Sequence, residues 1–164
     1  MCGISGSIHL DRSSVPEPKI WEMIKAMKHR GPNDNGTFFE DGIGLGFVRL
    51  SIIDLSPAGH QPMFSHDERY VIIFNGEIFN YVELREELKA KGHQFQTKTD
   101  TEVLITAYVE WGEAMQHKLN GMWAFVIYDR QEKTVFGSRD RYGIKPLYYC
   151  IDGDRLFFAS EIPS

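Results

Sequence analysis

The sequence predicts an α+β domain in which helices pack on the faces of antiparallel sheets. Most candidate strands follow one another directly, as hairpins do, and the turn dipeptide Asp41-Gly42 joins the clearest pair. Three segments repeat their apolar residues at helical spacing. Strands that follow one another without intervening helices favour antiparallel sheets with helices on their faces. The 164 residues suffice for one such domain with a single core.

The individual elements follow from apolar periodicity and from residues that start or end them. Strands are predicted in apolar runs bounded by turn residues: 3–10, 37–40, 43–54, 69–74, 121–129, 134–140, 147–151 and 155–160. Helices are predicted at 16–30, 81–91 and 99–111, and a long loop at 55–68. Pro16 and Pro18 introduce the first helix. A capping box of Asn80 and Glu83 begins the second helix, and Gly92 ends it.

Charge and cysteine content exclude several classes of function. The formal net charge of -5 and the isoelectric point near 5.7 argue against a nucleic acid or an anionic membrane as partner. No apolar stretch approaches the roughly 18 residues that predict a membrane helix, and the start of the chain lacks the features of a signal peptide. Two cysteines and six scattered histidines predict neither a disulfide framework nor a metal site. We therefore expect a cytoplasmic protein with reduced thiols.

Cys2, directly behind the initiator methionine, allows two interpretations. A free cysteine is usually a small buried hydrophobic residue, and its position alone favours that interpretation. If Met1 is removed, Cys2 instead carries a free α-amino group that can act as general base for its own thiol, directly or through a water. Gly3 leaves room for a substrate beside the backbone. This second interpretation requires an oxyanion site and a substrate clamp elsewhere in the chain.

The stretch Phe74-Asn75-Gly76-Glu77 is also open to two interpretations. Asn-Gly is a turn dipeptide, so the stretch is most simply a tight turn that closes the preceding strand. Alternatively, the Asn75 amide and the Gly76 N–H supply two hydrogen-bond donors at one point, as an oxyanion hole requires. Glu77 beside them can accept a hydrogen bond from a substrate ammonium group.

Arg49 and Asp100 are candidates for the recognition of substrate charge. Arg49 ends an apolar strand and is most simply a structural or solvated arginine, although its planar fork suits a carboxylate. Asp100 most simply caps or begins a helix, although it can bind an ammonium group. These residues together suit a substrate with an acyl, a carboxylate and an ammonium group. They supply a thiol with its own base, two oxyanion donors, a carboxylate clamp and two ammonium acceptors. Glutamine is the obvious such substrate.

Eight ordered sequence blocks carry a resemblance to a known family. They are MCGI, MKHRGPNDNG, RLSIIDLSPAGHQPM, FNGEIFNY, TKTDTEVL, LNGMWAFVIYD, RDRYGIKPLYY and FASE. Together they resemble the glutaminase domain of class II glutamine amidotransferases, in particular its asparagine synthetase branch. The resemblance extends over residues 2–161, which we expect to form one glutaminase domain. It implies the αββα sandwich of the N-terminal nucleophile hydrolases, with two antiparallel sheets between helical layers.

The resemblance also implies a role for each candidate residue. The catalytic residues that it implies are Cys2 as nucleophile and Asn75 with the Gly76 N–H as oxyanion hole. The residues that it assigns to glutamine binding are Arg49 for the carboxylate, Glu77 and Asp100 for the ammonium group, and the backbone of Leu50, Ser51, Ile52 and Ile53 for the pocket lining. One departure lies in RGPN, where the family commonly has aspartate in place of Asn33.

The expected partners are L-glutamine and, in a full-length parent, a synthetase domain. In the family that domain uses ATP and Mg²⁺, so no cofactor or metal is expected for the glutaminase domain itself. The serine- and glycine-rich pyrophosphate loop of the synthetase domain is not found in these 164 residues. We therefore expect an isolated glutaminase domain or a truncation. The sequence leaves homo-oligomer formation open.

Three alternative functions are considered. Amidotransferases that modify sugars or peptides share the same glutamine chemistry, although the stretches RLSIID and GHQPM favour the synthetase branch. A catalytically idle binding module of the same fold is disfavoured because every proposed site residue is present. A thiol redox protein is disfavoured because no resolving cysteine lies near Cys2 in the sequence.

Overall fold

The strands and helices of the protein come from a computed structural model, which describes residues 1–50 and 57–162. The strands in that part of the chain are β1 (Gly3–His9), β2 (Asp34–Glu40), β3 (Ile43–Arg49), β4 (Met63–Phe64), β5 (Tyr70–Ile78), β6 (Gly121–Asp129), β7 (Thr134–Arg139), β8 (Tyr148–Asp152) and β9 (Arg155–Ala159). The helices are α1 (Glu17–Ala26), α2 (Tyr81–Ala90) and α3 (Asp100–Trp111), with 3-10 helices at Pro57–Gly59 and Gly112–His117.

The strands form two antiparallel sheets that stack between helices. One sheet has the order β2-β3-β1-β9-β8 and the other the order β4-β5-β6-β7. Helix α1 packs on the first sheet, while α2 and α3 pack on the outer face of the second. A further core of apolar side chains fills the space between the sheets. This arrangement confirms the predicted α+β class and the αββα order of its layers.

Strand β5 shows how the sequence builds both faces of its sheet. Val71 and Ile73 belong to the core between the sheets, whereas Ile72 and Phe74 belong to the core under α2 and α3. Successive side chains of a strand point to opposite faces, and both faces of this sheet are covered. An uninterrupted apolar run is therefore what this strand requires.

Alternating glycines in β3 let α1 lie close to its sheet. A Cβ added at Gly44 would lie 2.9 Å from Ile20, and one added at Gly46 would lie 2.9 Å from Ile24. Both distances are shorter than packed carbon atoms allow. The intervening residues of β3 point the other way, into the core between the sheets. The glycines thus act as spacers under the helix.

Several predicted boundaries are wrong for local reasons. Leu10 lies beyond the end of β1 and is 69% exposed, so it does not extend the apolar face of that strand. The predicted loop at 55–68 contains the short strand β4. Asn80 occupies the N-cap position of α2, but its side chain does not cap the helix: its Oδ1 accepts from Asn120 N and its Nδ2 donates to Lys118 O, both at 2.9 Å. Its amide therefore ties the start of α2 to the segment before β6.

Within the described part of the chain, no helix combines the length and the apolar character needed to cross a membrane.

Candidate active site

One pocket of about 270 Å³ opens at the end of the sandwich where β1 begins and where β3 and β5 end. Because β1 runs antiparallel to β3, the first residues of the chain meet the last residues of β3. The pocket lining includes all the described residues that the sequence singled out: Cys2, Arg49, Leu50, Asn75, Gly76, Glu77 and Asp100. The remaining three predicted residues, Ser51, Ile52 and Ile53, lie outside the described residues.

The thiol of Cys2 is half-buried in the lining of this pocket. Its Sγ accepts a hydrogen bond from Leu50 N at 3.4 Å and lies 3.6 Å from Leu50 O. Burial raises the pKa of the thiol, although the Leu50 N–H, the chain terminus and Arg49 act in the opposite direction. The thiol therefore stays largely protonated near neutral pH. It needs a general base within reach to act as a nucleophile.

Three contacts hold the N-terminal residues at the pocket. The amino group of Met1 donates to Arg30 O at 3.1 Å, and the Met1 sulfur accepts from Lys145 Nζ at 3.2 Å. The Arg30 side chain in turn donates to Cys2 O at 3.1 Å and contacts Glu161 at 2.7 Å. While Met1 is attached, the nitrogen of Cys2 is an amide. Removal of Met1 would convert that nitrogen into an amine on the same residue as the thiol.

Asn75 and Gly76 lie inside strand β5, so the interpretation as a tight turn is wrong. They pair with Ala124 and Trp123 of β6, and the strand continues to Ile78. Asn75 is 1% exposed, and its Nδ2 has no hydrogen-bond partner among the described residues. The partner of a buried donor can be a protein group, an ordered water or a ligand. A side chain at position 76 would overlap Met122 O, so only glycine fits there.

Asp100 begins α3 and lies almost entirely buried beside the pocket. Its exposed fraction is 6%, and its Oδ2 accepts from Ile78 N at 3.1 Å. Burial raises the pKa of this carboxyl to about 6, against the lowering effect of backbone N–H groups, and the nearby Glu77 adds to the rise. The helix cap is the preceding residue, Thr99, whose hydroxyl accepts from Glu102 N. The Asp100 side chain is therefore not used as a cap.

Arg49 is the last residue of β3 and is 7% exposed. Its guanidinium lies against Gly59, where an added Cβ would overlap it. The RGPN segment packs on the same strand end, because Asn33 N donates to Arg49 O at 3.1 Å and a Cβ at Gly31 would meet the Arg49 backbone at 2.5 Å. The first of these contacts uses the backbone N–H of Asn33. It therefore does not require the aspartate that is common in the family.

Sequence reasoning missed several residues of the pocket lining. They include Gln61, Thr101, Met122 and Lys145. Gln61 and Lys145 stand in the blocks GHQPM and RDRYGIKPLYY, which supported the family resemblance without receiving a role. Across residues 1–50 and 57–162, no group of three or more His, Cys, Asp or Glu side chains is placed to hold a metal ion.

Comparison with solved structures defines the class of the fold. Glutamine phosphoribosylpyrophosphate amidotransferase from Bacillus subtilis, solved in complex with ADP and GMP, superposes with a TM-score of 0.79. The superposition covers 97% of this chain and 42% of that one, at 22% sequence identity. Together with the two stacked antiparallel sheets, this likeness shows the fold of the N-terminal nucleophile hydrolases.

Within that class the chain belongs to the family of glutamine amidotransferase domains, whose model matches residues 1–164. It is 48% identical over 164 residues to asparagine synthetase (glutamine-hydrolyzing) 1 of Bacillus subtilis, a match that covers 98% of this chain and 26% of that protein. It is also 39% identical over 165 residues to asparagine synthetase (glutamine-hydrolyzing) 3 of the same organism, a match that covers 99% of this chain and 27% of that protein. The chain thus spans about a quarter of the length of these relatives.

Proposed function

We propose that this chain hydrolyses L-glutamine to glutamate and ammonia through a thioester at Cys2. One observation carries the proposal: the Cys2 thiol shares a pocket with the Asn75 amide, whose buried Nδ2 has no partner among the described residues. A buried donor left without a partner costs about 1–3 kcal/mol. An oxyanion formed in the reaction would supply that partner and would be stabilised by it.

The chemistry starts after Met1 has been removed. The α-amino group of Cys2 takes the thiol proton, and Sγ forms a bond to the carboxamide carbon of glutamine. The electron pair of the C=O double bond moves to the oxygen, which lies against Asn75 Nδ2 and the Gly76 N–H. When the carbonyl re-forms, the C–N bond breaks, and the departing nitrogen takes the proton from the α-ammonium group and leaves as ammonia.

The resulting thioester is then hydrolysed. The same α-amino group takes a proton from a water molecule, whose oxygen adds to the thioester carbon. The oxyanion again lies against Asn75 and Gly76. When this second adduct collapses, the C–S bond breaks, glutamate is released, and the sulfur recovers its proton from the α-ammonium group.

Two groups of charged side chains bind the amino-acid end of glutamine in this proposal. Arg49 holds the carboxylate, because a guanidinium fork matches the two oxygens of a carboxylate. Glu77 and Asp100 accept hydrogen bonds from the ammonium group, and both line the same pocket. The backbone N–H of Leu50 donates to the Cys2 sulfur.

We further propose that the ammonia serves an ATP-dependent synthetase domain that amidates aspartate in the cytoplasm. The names of the two Bacillus relatives support this acceptor. In this proposal residues 2–161 form the glutaminase unit, while ATP and Mg²⁺ bind to the synthetase domain. Glutamine, and the synthetase domain that follows the glutaminase unit, are then its two partners.

The test compares glutamate release by four preparations of the chain, with N-terminal mass measured for each. The processed wild type and Cys150→Ala should be active, because Cys150 is exposed on β8 and lies away from the pocket. Cys2→Ala, and a chain that retains one uncleaved residue before Cys2, should be inactive. Glutamate release by either of these two preparations at the wild-type rate, or none by the processed wild type, would contradict the proposal.

A further inference from the structure

Gln61 lines the pocket, and the proposed chemistry leaves its side chain without a role. It is 4% exposed, and both ends of its amide form hydrogen bonds. Oε1 accepts from Phe74 N at 2.6 Å, and Nε2 donates to Thr101 Oγ1 at 3.3 Å. A backbone N–H can only donate, so the Phe74 contact fixes which end of the amide is the oxygen. One side chain therefore bridges strand β5 and helix α3.

The two partners of Gln61 are next in sequence to two proposed site residues. Phe74 precedes Asn75, and Thr101 follows Asp100. A second bridge between the same elements runs from Ile78 N to Asp100 Oδ2 at 3.1 Å. The segment 75–77, which carries the proposed oxyanion donors, is thus held to the start of α3 at both of its ends.

The position of Gln61 follows from the register of the sheet. Met63 of β4 stands opposite Ile72 of β5, so the antiparallel register would place Gln61 opposite Phe74. The backbone of Gln61 lies against Gly36 of β2, where an added Cβ would overlap Gln61 O. The backbone of Gln61 therefore packs on the sheet that contains β2, while its side chain continues the hydrogen bonding of the sheet that contains β5. The β4–β5 pairing ends at Ile72, and Asn75 follows three residues further along β5.

We infer that Gln61 is a positioning residue of the glutamine site, which sets the spacing between the Asn75 amide and the Asp100 carboxylate. The inference rests on the proposed function, in which these two groups contact opposite ends of one glutamine molecule. A ligand held at both ends is sensitive to the distance between its two contacts. A displacement of about 1 Å at such a site can lower the rate by about 100-fold. Gln61 itself needs no contact with glutamine in this role.

The test uses Gln61→Met, which keeps the length of the side chain and removes both hydrogen bonds. Ser65→Ala is the matched control, because Ser65 is 5% exposed and its hydroxyl accepts from Tyr70 N at 2.9 Å at the other end of β5. Each variant loses a hydrogen bond from a residue that flanks β4 to a backbone N–H of β5. We expect Gln61→Met to lower kcat/KM by roughly 10- to 100-fold, and Ser65→Ala by less than about threefold.

Thr101→Val separates the helix contact from the strand contact, because it replaces only the hydroxyl that accepts from Gln61. We expect it to raise KM for glutamine, and the double variant with Gln61→Met to raise KM no further than Gln61→Met alone. If Gln61 only stabilised the fold, its substitution would lower the unfolding temperature without this coupling in KM. Additive effects on KM, or equal losses in Gln61→Met and Ser65→Ala, would overturn the inference. If Gln61→Met does not fold, an unchanged KM in Thr101→Val would also overturn the inference.

Amide hydrogen exchange separates this inference from the proposed function. The Ile78 N–H, which donates to Asp100, should exchange at least about tenfold faster in Gln61→Met than in Ser65→Ala, whether or not the protein turns over glutamine. Equal protection of Ile78 would overturn the positioning role. Absence of glutamate release by the processed wild type, with faster Ile78 exchange in Gln61→Met, would instead contradict the proposed function alone.

Discussion

Two aspartates at opposite ends of the β5–β6 pair expose the same 6% of their surface, yet their pKa values are shifted in opposite directions. Burial acts to raise the pKa of Asp129, but Arg69 contacts both of its oxygens at 2.6–3.1 Å and the net pKa is lowered. Burial raises the pKa of Asp100 to about 6, because this carboxyl lies much deeper among protein atoms than that of Asp129 and the bonds that it accepts come from backbone N–H groups.

This difference separates a structural acid from an acid that can serve a ligand. Asp129 ends β6, where its carboxylate binds Arg69 and also accepts hydrogen bonds from Gln131 N and Glu132 N in the turn that follows. Asp100 lies beside a pocket and, when ionised, carries a buried charge that a substrate ammonium group could neutralise. Acids with strongly raised pKa values concentrate at functional sites for this reason. The end of the sheet that holds Asp100 also holds Asn75, with its buried donor that has no partner in the described chain.

The largest expected effect concerns that donor. Asn75→Ala should lower kcat for glutamine hydrolysis by about 100- to 1,000-fold with little change in KM, since the lost bond forms only as the oxyanion develops. Asp129→Asn, at the other end of the sheet, should leave kcat unchanged. Steady-state kinetics of both processed variants make the measurement. A near-native kcat in Asn75→Ala would mean that its amide has a structural role.

The second prediction concerns the effect of the ionised Asp100 carboxylate on the free energy of unfolding. Because its folded pKa lies near 6 and its ordinary value near 4, the native state binds the proton more tightly than the unfolded state. Stability from this group is fully present below about pH 4 and is lost as pH rises through about 6. Asp100→Asn should therefore unfold with a free energy higher by about 3 kcal/mol at pH 7.5 and by little at pH 4. Its KM for glutamine should rise.

Denaturant melts at several pH values test this expectation. If Asp100→Asn is less stable than the wild type at pH 7.5, the ionised carboxylate stabilises the fold. The distinction between the two aspartates would then be lost.

The third prediction is a change of opposite sign in the free energy of unfolding, for Asp129 at the other end of the β5–β6 pair. Asp129→Asn removes the charge that Arg69 contacts and should lower the free energy of unfolding by about 2 kcal/mol at neutral pH. The folded pKa of Asp129 is lowered, so this contribution is present above the ordinary value near 4 and is lost as the pH falls below it. The difference between variant and wild type should therefore shrink in acid. A constant difference down to pH 2 would contradict this assignment.

Apolar periodicity was sufficient to predict the α+β class and most of its elements from the sequence. The apolar runs of β5 and β6 and the stripe of α3 each depend on neighbours in the same element, whereas the two sheets and their αββα order were implied by the family resemblance. Local composition failed at Asn75-Gly76, which is a turn dipeptide but lies inside β5. The pairing with Ala124 and Trp123, some fifty residues further along the chain, outweighs its local preference. Such pairing is not visible in a local pattern.

Several residues of the pocket lining were predicted from the sequence, but the residues that support them were not. Cys2, Arg49, Asn75 and Asp100 could be named because their chemical groups together suit glutamine and because the family resemblance implies their roles, and the structure brings them into one pocket. The Gln61 bridge could not be named, because it depends on the β4–β5 register and on contacts with residues 13 and 40 positions away. The same holds for Asn80, whose amide bonds across the fold rather than to its own helix.

The smallest expected effect compares two arginines. Arg69 holds Asp129 within the fold, whereas Arg49 lines the pocket and is proposed to hold the carboxylate of glutamine. Lysine keeps the charge but lacks the planar fork, so Arg49→Lys should raise KM for glutamine about tenfold with kcat nearly unchanged, and Arg69→Lys should leave KM as it is. Gly59→Ala provides a second route to the same result, because its new methyl group would overlap the Arg49 guanidinium and displace it. Both Arg49→Lys and Gly59→Ala should then bind glutamine analogues without a carboxylate as well as the wild type does. If Arg49→Lys binds glutamine as tightly as the wild type, the carboxylate must be held elsewhere, and both ends of the sheet would use their arginines for structure.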